Sequence, residues 1–153
     1  MSEPKITRYL EDFQEGTTLE CGSYTLSEEE IIHFASQFDP QPFHIDRKAA
    51  AMSPYGGIIA SGWHTVSIMM RLMVDGYING SSSMGSPGVD EVRWLKPVRP
   101  GDTITARAHV NEVIPSKSKP DRGIVKSLME VSNQQGETVM TVQGMGMYLR
   151  RPK

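Results

Sequence analysis

Residues 61–77 read SGWHTVSIMMRLMVDGY, with apolar side chains at nearly every helical position. A helix that is apolar almost all round belongs in the core of a domain. The pattern predicts that this helix begins near Ser61 or Gly62 and runs to about Tyr77, where a glycine stops it. We therefore expect one long central helix, against which the rest of the chain packs.

Two shorter helices are predicted before the central one. Ser27 can cap the first, and Glu30 stands at the capping-box position three residues later. Pro40 ends this helix, and residues 46–52 form a second one with Asp46 as its cap. The apolar face of the first helix is predicted to comprise Ile31, Phe34, Ala35 and Phe38.

From Val89 onward the hydrophobic period falls to two, which is typical of half-buried strands. Alternating sets run through residues 103–111, 125–131 and 138–149, and a short strand precedes the helices. Four consecutive strands with short links predict an antiparallel meander. The predicted fold class is α+β, with the curled antiparallel sheet wrapped around the one long central helix in the layout of the hotdog fold. Its open edges favour a homodimer or higher homo-oligomer.

Composition excludes several classes of protein. The 153 residues suit a single domain spanning 1–153, and the net charge of −2 without a basic tract argues against nucleic acid. One cysteine excludes a disulfide framework within the chain and fits a reducing compartment. Residues 49–70 lack charged side chains but contain proline, glycine and histidine, so we expect no membrane span. A cytoplasmic protein is expected.

The most unusual segment is FDPQPFHID, residues 38–46. Asp39 and His44 lie five residues apart across two prolines, which stiffen the loop and hold both side chains. Imidazole titrates near neutrality and a carboxylate can orient it, so the pair suits acid–base catalysis. The alternative is a rigid connector, with Asp39 ending a helix and His44 on the surface.

The start of the central helix is the second candidate. A helix N-terminus offers unpaired N–H groups, and Gly62 has no side chain to keep a substrate carbonyl from its amide. The Gly62 amide is thus a candidate oxyanion hole. The alternative is that these glycines only allow the helix to pack closely against the sheet.

Together these segments resemble the MaoC-like hydratases and dehydratases, which include (R)-specific enoyl-CoA hydratases. The resemblance rests on Asp39, His44 and the Ala-Ser-Gly turn that ends at Gly62, and on residues 92–103, VRWLKPVRPGDT. It implies reversible addition of water to a trans-2-enoyl-CoA, giving an (R)-3-hydroxyacyl-CoA. Asp39 and His44 would activate the water, and the Gly62 amide would polarise the thioester carbonyl.

The same resemblance implies an acyl-CoA substrate, no metal and no cofactor beyond the CoA of the substrate. Ser61 and Trp63, which flank the glycine, are predicted to bind substrate. Ser61 replaces the family's usual histidine, and Gln41 replaces its usual asparagine. Trp63 either narrows the acyl tunnel or is a core residue. A hotdog thioesterase and a non-catalytic acyl-CoA-binding protein are the alternative functions.

Overall fold

The computed structural model describes residues 5–153. Four α-helices and five strands follow one another as β1 (Thr18–Thr25), α1 (Glu28–Phe38), α2 (Pro42–Ile45), α3 (Arg47–Ala51), α4 (Gly62–Met73), β2 (Val89–Trp94), β3 (Thr103–Pro115), β4 (Arg122–Ser132) and β5 (Thr138–Leu149). A 3₁₀ turn at Leu10–Asp12 precedes β1, and a π-helical turn at Val74–Ile78 extends α4. Within the described residues, no helix combines the length and apolarity needed to cross a membrane.

Local capping fixes the starts of the short helices as predicted. The Ser27 hydroxyl accepts a hydrogen bond from the Glu30 N–H, and the Glu30 carboxylate accepts one from the Ser27 N–H. Asp46 caps α3 by accepting from the Ala49 N–H at 3.0 Å. One prediction for α1 is wrong: Phe38 is 70% exposed, because it is the last residue of the helix and its ring packs on Phe34 of the same helix.

Helix α2 was not predicted from the two prolines of the loop. Pro42 begins it, and proline is tolerated in the first turn because its missing N–H would have no partner there. Gln41, which precedes Pro42, keeps the extended conformation expected of that position, with φ −75° and ψ 143°. The loop is therefore folded back on itself, with His44 on a helical turn.

Helix α4 is the central helix, and it begins at Gly62 as predicted. Its sheet-facing side is buried, but Trp63 is 57% exposed and Met70 is 45% exposed. The prediction of a helix buried almost all round is therefore wrong for one side, which the sheet does not cover. Its buried residues are His64, Thr65, Ile68, Met69, Leu72 and Met73.

The sheet is antiparallel, with the order β1-β3-β4-β5-β2. The predicted simple meander is therefore wrong for β2, which pairs with β5 at the far edge and not with β3. The place beside β3 is taken by β1, so the segment after β2 must cross the end of α4 to reach β3. There the Ala60 N–H donates to the Val98 carbonyl at 2.8 Å.

The core lies between α4 and the concave face of the curled sheet. The alternating residues of β3 and β4 supply the sheet side of this core, as predicted: Ile104, Ala106, Ala108, Val110, Val125, Ser127, Met129 and Val131. Burial of such side chains is the main favourable term in folding. The α+β arrangement of sheet and central helix is confirmed.

Candidate active site

The loop between α1 and α3 brings the two predicted polar residues together. Asp39 directly follows the last residue of α1, and its N–H still donates to the Ala35 carbonyl at 2.8 Å. The Gln41 N–H donates to the Asp39 carbonyl, which closes a tight turn before α2. The single turn of α2 then carries the His44 ring back toward Asp39.

Asp39 and His44 form a close pair at the wall of a cavity. The His44 Nε2 atom lies 3.3 Å from Asp39 Oδ2, and the two side chains are only 5% and 18% exposed. His44 is thus buried, which rules out its placement on the surface. The Nδ1 atom of His44 lies 2.7 Å from the Ile59 carbonyl oxygen. A carbonyl only accepts hydrogen bonds, so Nδ1 carries a proton and Nε2 is the atom that faces Asp39.

Three neighbours favour the ionised form of Asp39. Burial opposes its ionisation, but hydrogen bonds from the Gln41 amide and the Ser61 hydroxyl, together with the adjacent His44, lower the pKa of Asp39 below its ordinary value. The Gln41 Nε2 atom donates to Asp39 Oδ1 at 2.7 Å. Oδ1 is thereby held by Gln41, while Oδ2 is turned to His44.

The N-terminus of α4 forms the opposite wall. Ser61 is fully buried and caps the helix, since its Oγ accepts a hydrogen bond from the Trp63 N–H at 3.3 Å. Among the described residues, no protein acceptor takes the hydrogen of the Gly62 N–H. This amide lies at the positive end of the helix dipole, where a developing negative charge is stabilised.

A cavity of about 470 Å³ joins these groups. Its walls include Asp39, Gln41, His44, Gly62, Trp63 and Trp94. Of the residues predicted for the site, Asp39, His44, Gly62 and Trp63 line this space, and Ser61 lies behind it as a cap. Trp63 is not a core residue, because more than half of its side chain is exposed.

Gly62 is closely covered by an indole ring. A Cβ atom built at Gly62 would lie 2.5 Å from Cε2 and Nε1 of Trp94. We expect Gly62→Ala to displace this ring and to lower the free energy of unfolding by about 1–3 kcal/mol, the usual cost of overpacking. Thermal unfolding and tryptophan fluorescence measure both effects.

Gly57→Ala is the matched control. A Cβ at Gly57 would approach only the Arg99 guanidinium, at 4.0 Å, and its backbone is not in the left-handed region. Equal melting temperatures and emission spectra for the two variants would contradict the close packing at Gly62.

Gln41 and Trp94 are site residues that the sequence analysis did not predict. Gln41 was noted only as a departure from the family loop, although its position between two prolines, two residues after Asp39, is a usable signal. Trp94 gave no such signal, because β2 and α4 meet only in the folded chain.

The cysteine, the second buried histidine and several basic residues are explained by contacts within the chain. Cys21 is buried, and burial raises its pKa to about 11, so it is the small hydrophobic residue that its strand predicts. His64 is buried and stacks on Phe34 with ring centroids 4.5 Å apart. Three basic residues, of which Lys96 lines the cavity, pair with carboxylates of this chain: Arg93 with Glu91, Lys96 with Glu137 and Arg107 with Glu20.

The chain is similar in sequence and in fold to several known proteins. An uncharacterised protein, YdeM of Bacillus subtilis, is 30% identical over 125 residues, which are 82% of this chain and 87% of that protein. An (R)-specific enoyl-CoA hydratase of Rhodospirillum rubrum is 29% identical over 73% of this chain and 76% of its own length. The crystal structure of a MaoC-like dehydratase from the same species superimposes with a TM-score of 0.89 at 39% identity, covering 96% of this chain and all of that one. This likeness confirms the hotdog fold.

The chain also matches the sequence profile of a protein family. The sequence profile described as the MaoC like domain covers residues 12–133, which include every residue of the cavity wall named above. The chain therefore belongs to the MaoC-like dehydratase family.

Proposed function

We propose that this protein interconverts trans-2-enoyl-CoA and (R)-3-hydroxyacyl-CoA by adding or removing water. The proposal depends above all on one observation: Asp39 and His44 are paired across 3.3 Å in a cavity that the N-terminus of α4 also lines. The name of the R. rubrum enoyl-CoA hydratase supports the reaction class. The substrate's double bond is conjugated with its thioester, so the reaction needs no metal or redox cofactor, and CoA enters with the substrate.

In the hydration direction, Asp39 is the base and His44 is the acid. The lowered pKa of Asp39 keeps it ionised at neutral pH, so a carboxylate oxygen can take a proton from a water molecule held in the pair. The water oxygen then bonds to C3, while the C2–C3 π electrons move toward the thioester. The Nε2–H of protonated His44 delivers a proton to C2.

The Gly62 amide stabilises the intermediate charge. When the water oxygen adds to C3, electron density accumulates on the thioester oxygen as an enolate forms. A backbone N–H without a protein acceptor, at the positive end of α4, is a preorganised donor for that oxygen. Protonation at C2 returns the electrons and restores the carbonyl group.

The pair regains its starting state without an external proton. After hydration, Asp39 carries the proton taken from water and His44 is neutral. Oδ2 and Nε2 are 3.3 Å apart, so the proton returns from Asp39 to His44 by a short movement or through one water. The fixed hydrogen bond from Nδ1 to the Ile59 carbonyl keeps Nε2 facing Asp39 throughout.

The acyl group has an apolar space beside this cavity. A second cavity of about 450 Å³ lies between α4 and strands β2, β4 and β5, and methionine, valine and glycine residues make up much of its wall. Trp63 contributes to the walls of both cavities. This position supports the proposal that Trp63 contacts the acyl chain where it passes from one space to the other.

The test is a panel of short, medium and branched trans-2-enoyl-CoAs, followed by the enoyl absorbance and by free thiol. We expect the enoyl absorbance to fall without release of thiol. Thiol release would instead indicate a thioesterase, and tight binding with neither change would indicate a non-catalytic acyl-CoA-binding protein. Either result would reject the proposed reaction.

Removal of the Gln41 side chain tests the electrostatics of the pair. The Gln41 amide donates to the ionised form of Asp39, so Gln41→Ala is expected to raise the pKa of Asp39. Because Asp39 must be ionised to act as base, the acidic limb of kcat/KM should move to higher pH. Gln37→Ala, an exposed change on α1, is the control, and an unmoved limb in Gln41→Ala would contradict the assignment.

We also propose that the protein acts as a homodimer. Strand β2 is an edge of the sheet, and Val89, Trp94 and the adjacent Leu95 are 56%, 44% and 54% exposed. An exposed apolar edge favours pairing with a second copy. Light scattering coupled to gel filtration should give about twice the chain mass of 17.0 kDa. A mass of one chain at assay concentrations would refute the dimer.

A further inference from the structure

The indole ring of Trp94 lies directly against the first residue of α4. The Cβ position of Gly62 is 2.5 Å from Nε1 and Cε2 of Trp94 and 2.9 Å from Cδ1. The face of the five-membered ring therefore covers this turn, and the N–H group lies in the plane of that ring, beside Gly62. The ring is also positioned from both sides, because Trp63 packs edge-to-face on it at 5.2 Å and the next residue, Leu95, donates to the Val139 carbonyl at 2.8 Å.

Two N–H groups without acceptors meet at this point. Within residues 5–153, neither the Gly62 N–H nor the Trp94 Nε1–H donates a hydrogen bond to another protein group. Trp94 is 44% exposed and lines the same cavity as Asp39 and His44. A ligand in that cavity can therefore reach both donors.

Covalent geometry limits the separation of the two donors. The Gly62 nitrogen and the Cβ position are bonded to the same Cα, which places them about 2.5 Å apart. Since Nε1 lies 2.5 Å from that Cβ position, the two nitrogens are at most about 5 Å apart. One oxygen can accept from two donors at about 2.9 Å each whenever they are separated by less than about 5.8 Å.

We propose that Trp94 is a catalytic residue whose Nε1–H donates to the same thioester oxygen as the Gly62 amide. The inference rests on the proposed function, because it concerns the enolate oxygen of that reaction. As water adds to C3 and charge moves onto this oxygen, both donors bind it more strongly, which lowers the barrier and not merely the energy of the bound substrate. No group is transferred to or from Trp94, which keeps its proton.

The first experiment observes the indole proton directly. The chain contains two tryptophans, so a ¹⁵N-correlated NMR spectrum has two indole signals, and Trp94→Phe assigns one of them by its loss. Butyryl-CoA, a saturated probe that cannot be hydrated, is added to the wild-type protein. We expect the Trp94 indole proton to move downfield at saturation. An unchanged Trp94 signal, while the Gly62 amide signal moves, would overturn the proposal whether or not the protein is a hydratase.

The second experiment measures the consequence for the reaction. Trp94→Phe keeps an aromatic ring but removes the N–H, and we expect kcat to fall at least tenfold with little change in KM. In the wild-type protein the carbonyl stretch of bound [1-¹³C]butyryl-CoA should move to lower frequency than in solution, and in Trp94→Phe this shift should be smaller. Tyr24→Phe, which removes an exposed hydroxyl bonded to Glu30, is the control for loss of an aromatic donor. Wild-type kcat and an unchanged carbonyl frequency in Trp94→Phe would overturn the role.

The outcomes separate this proposal from the proposed function. A wild-type protein without hydratase activity refutes the proposed function, yet a downfield Trp94 signal with butyryl-CoA still supports the donor role toward a thioester. If the wild-type protein is an active hydratase but its Trp94 indole signal does not move with butyryl-CoA, the proposed function stands and Trp94 is rejected as a second donor.

Discussion

Replacing Asp39 by Asn is expected to lower kcat for enoyl-CoA hydration at least a hundredfold while the fold survives. Asparagine has the same shape, so its oxygen can still accept from Gln41, but its amide cannot take a proton from water. The loss should therefore appear in kcat with a small change in KM. Steady-state kinetics measures kcat and KM, and circular dichroism shows whether the variant is folded.

The same loop offers a matched control. Asp46→Asn makes the same chemical change seven residues later, at an exposed helix cap where asparagine is equally suitable. We expect this variant to keep wild-type activity and a similar melting temperature. Asp39→Asn with turnover close to that of Asp46→Asn would show that Asp39 is not the base.

Replacing His44 alone by Ala is also expected to lower kcat at least a hundredfold, because the acid that protonates C2 is removed. The change also deprives the buried Ile59 carbonyl of its hydrogen bond. We therefore expect a lower melting temperature as well, since an unpaired buried acceptor costs about 1–3 kcal/mol.

Chemical rescue separates these two effects. Free imidazole can enter the space left by the ring and restore part of the rate in His44→Ala, but it does not repair a misfolded protein. His33→Ala, at an exposed histidine on α1, is the control. Wild-type turnover in His44→Ala, or a loss that imidazole leaves untouched in a folded variant, would contradict the acid role.

The parts of the fold that depend on neighbours in sequence were predictable. Ser27 and Glu30 cap each other across three residues, and Asp46 caps the helix that it begins. The alternation of Ile104, Ala106 and Ala108 indicated which face of β3 is buried. Each of these features is a matter of local geometry or period, which a single sequence carries.

Strand order required more than the sequence offers. An alternating pattern along a strand indicates which side chains face inward, but it does not indicate which strands are neighbours. Strand β2 is therefore predicted to lie next to β3, whereas it pairs with β5. The exposed side of α4 was missed for a related reason. Apolar residues all round a helix predict burial only where another element covers them, and Trp63 stays 57% exposed although its ring contacts Trp94.

In the candidate site, too, the contacts between residues close in sequence were predictable and the long-range contacts were not. The Asp39–His44 pair was predictable because a short, proline-stiffened loop limits how far apart two residues can lie. The contact of Trp94 with Gly62 joins the end of a strand to the start of a helix far away in sequence. It depends on the β2–β5 pairing, which no local pattern encodes.

That pairing has a consequence for how the protein is made on the ribosome. Strand β2 leaves the ribosome long before β5, the last strand of the described residues, and until β5 follows it has no neighbour in this sheet. The nascent chain can form the Asp39–His44 loop early, but the indole wall of the cleft must wait for synthesis of the final strand. We therefore expect the candidate active site to become ordered late in the synthesis of each molecule, after β5 has paired with β2.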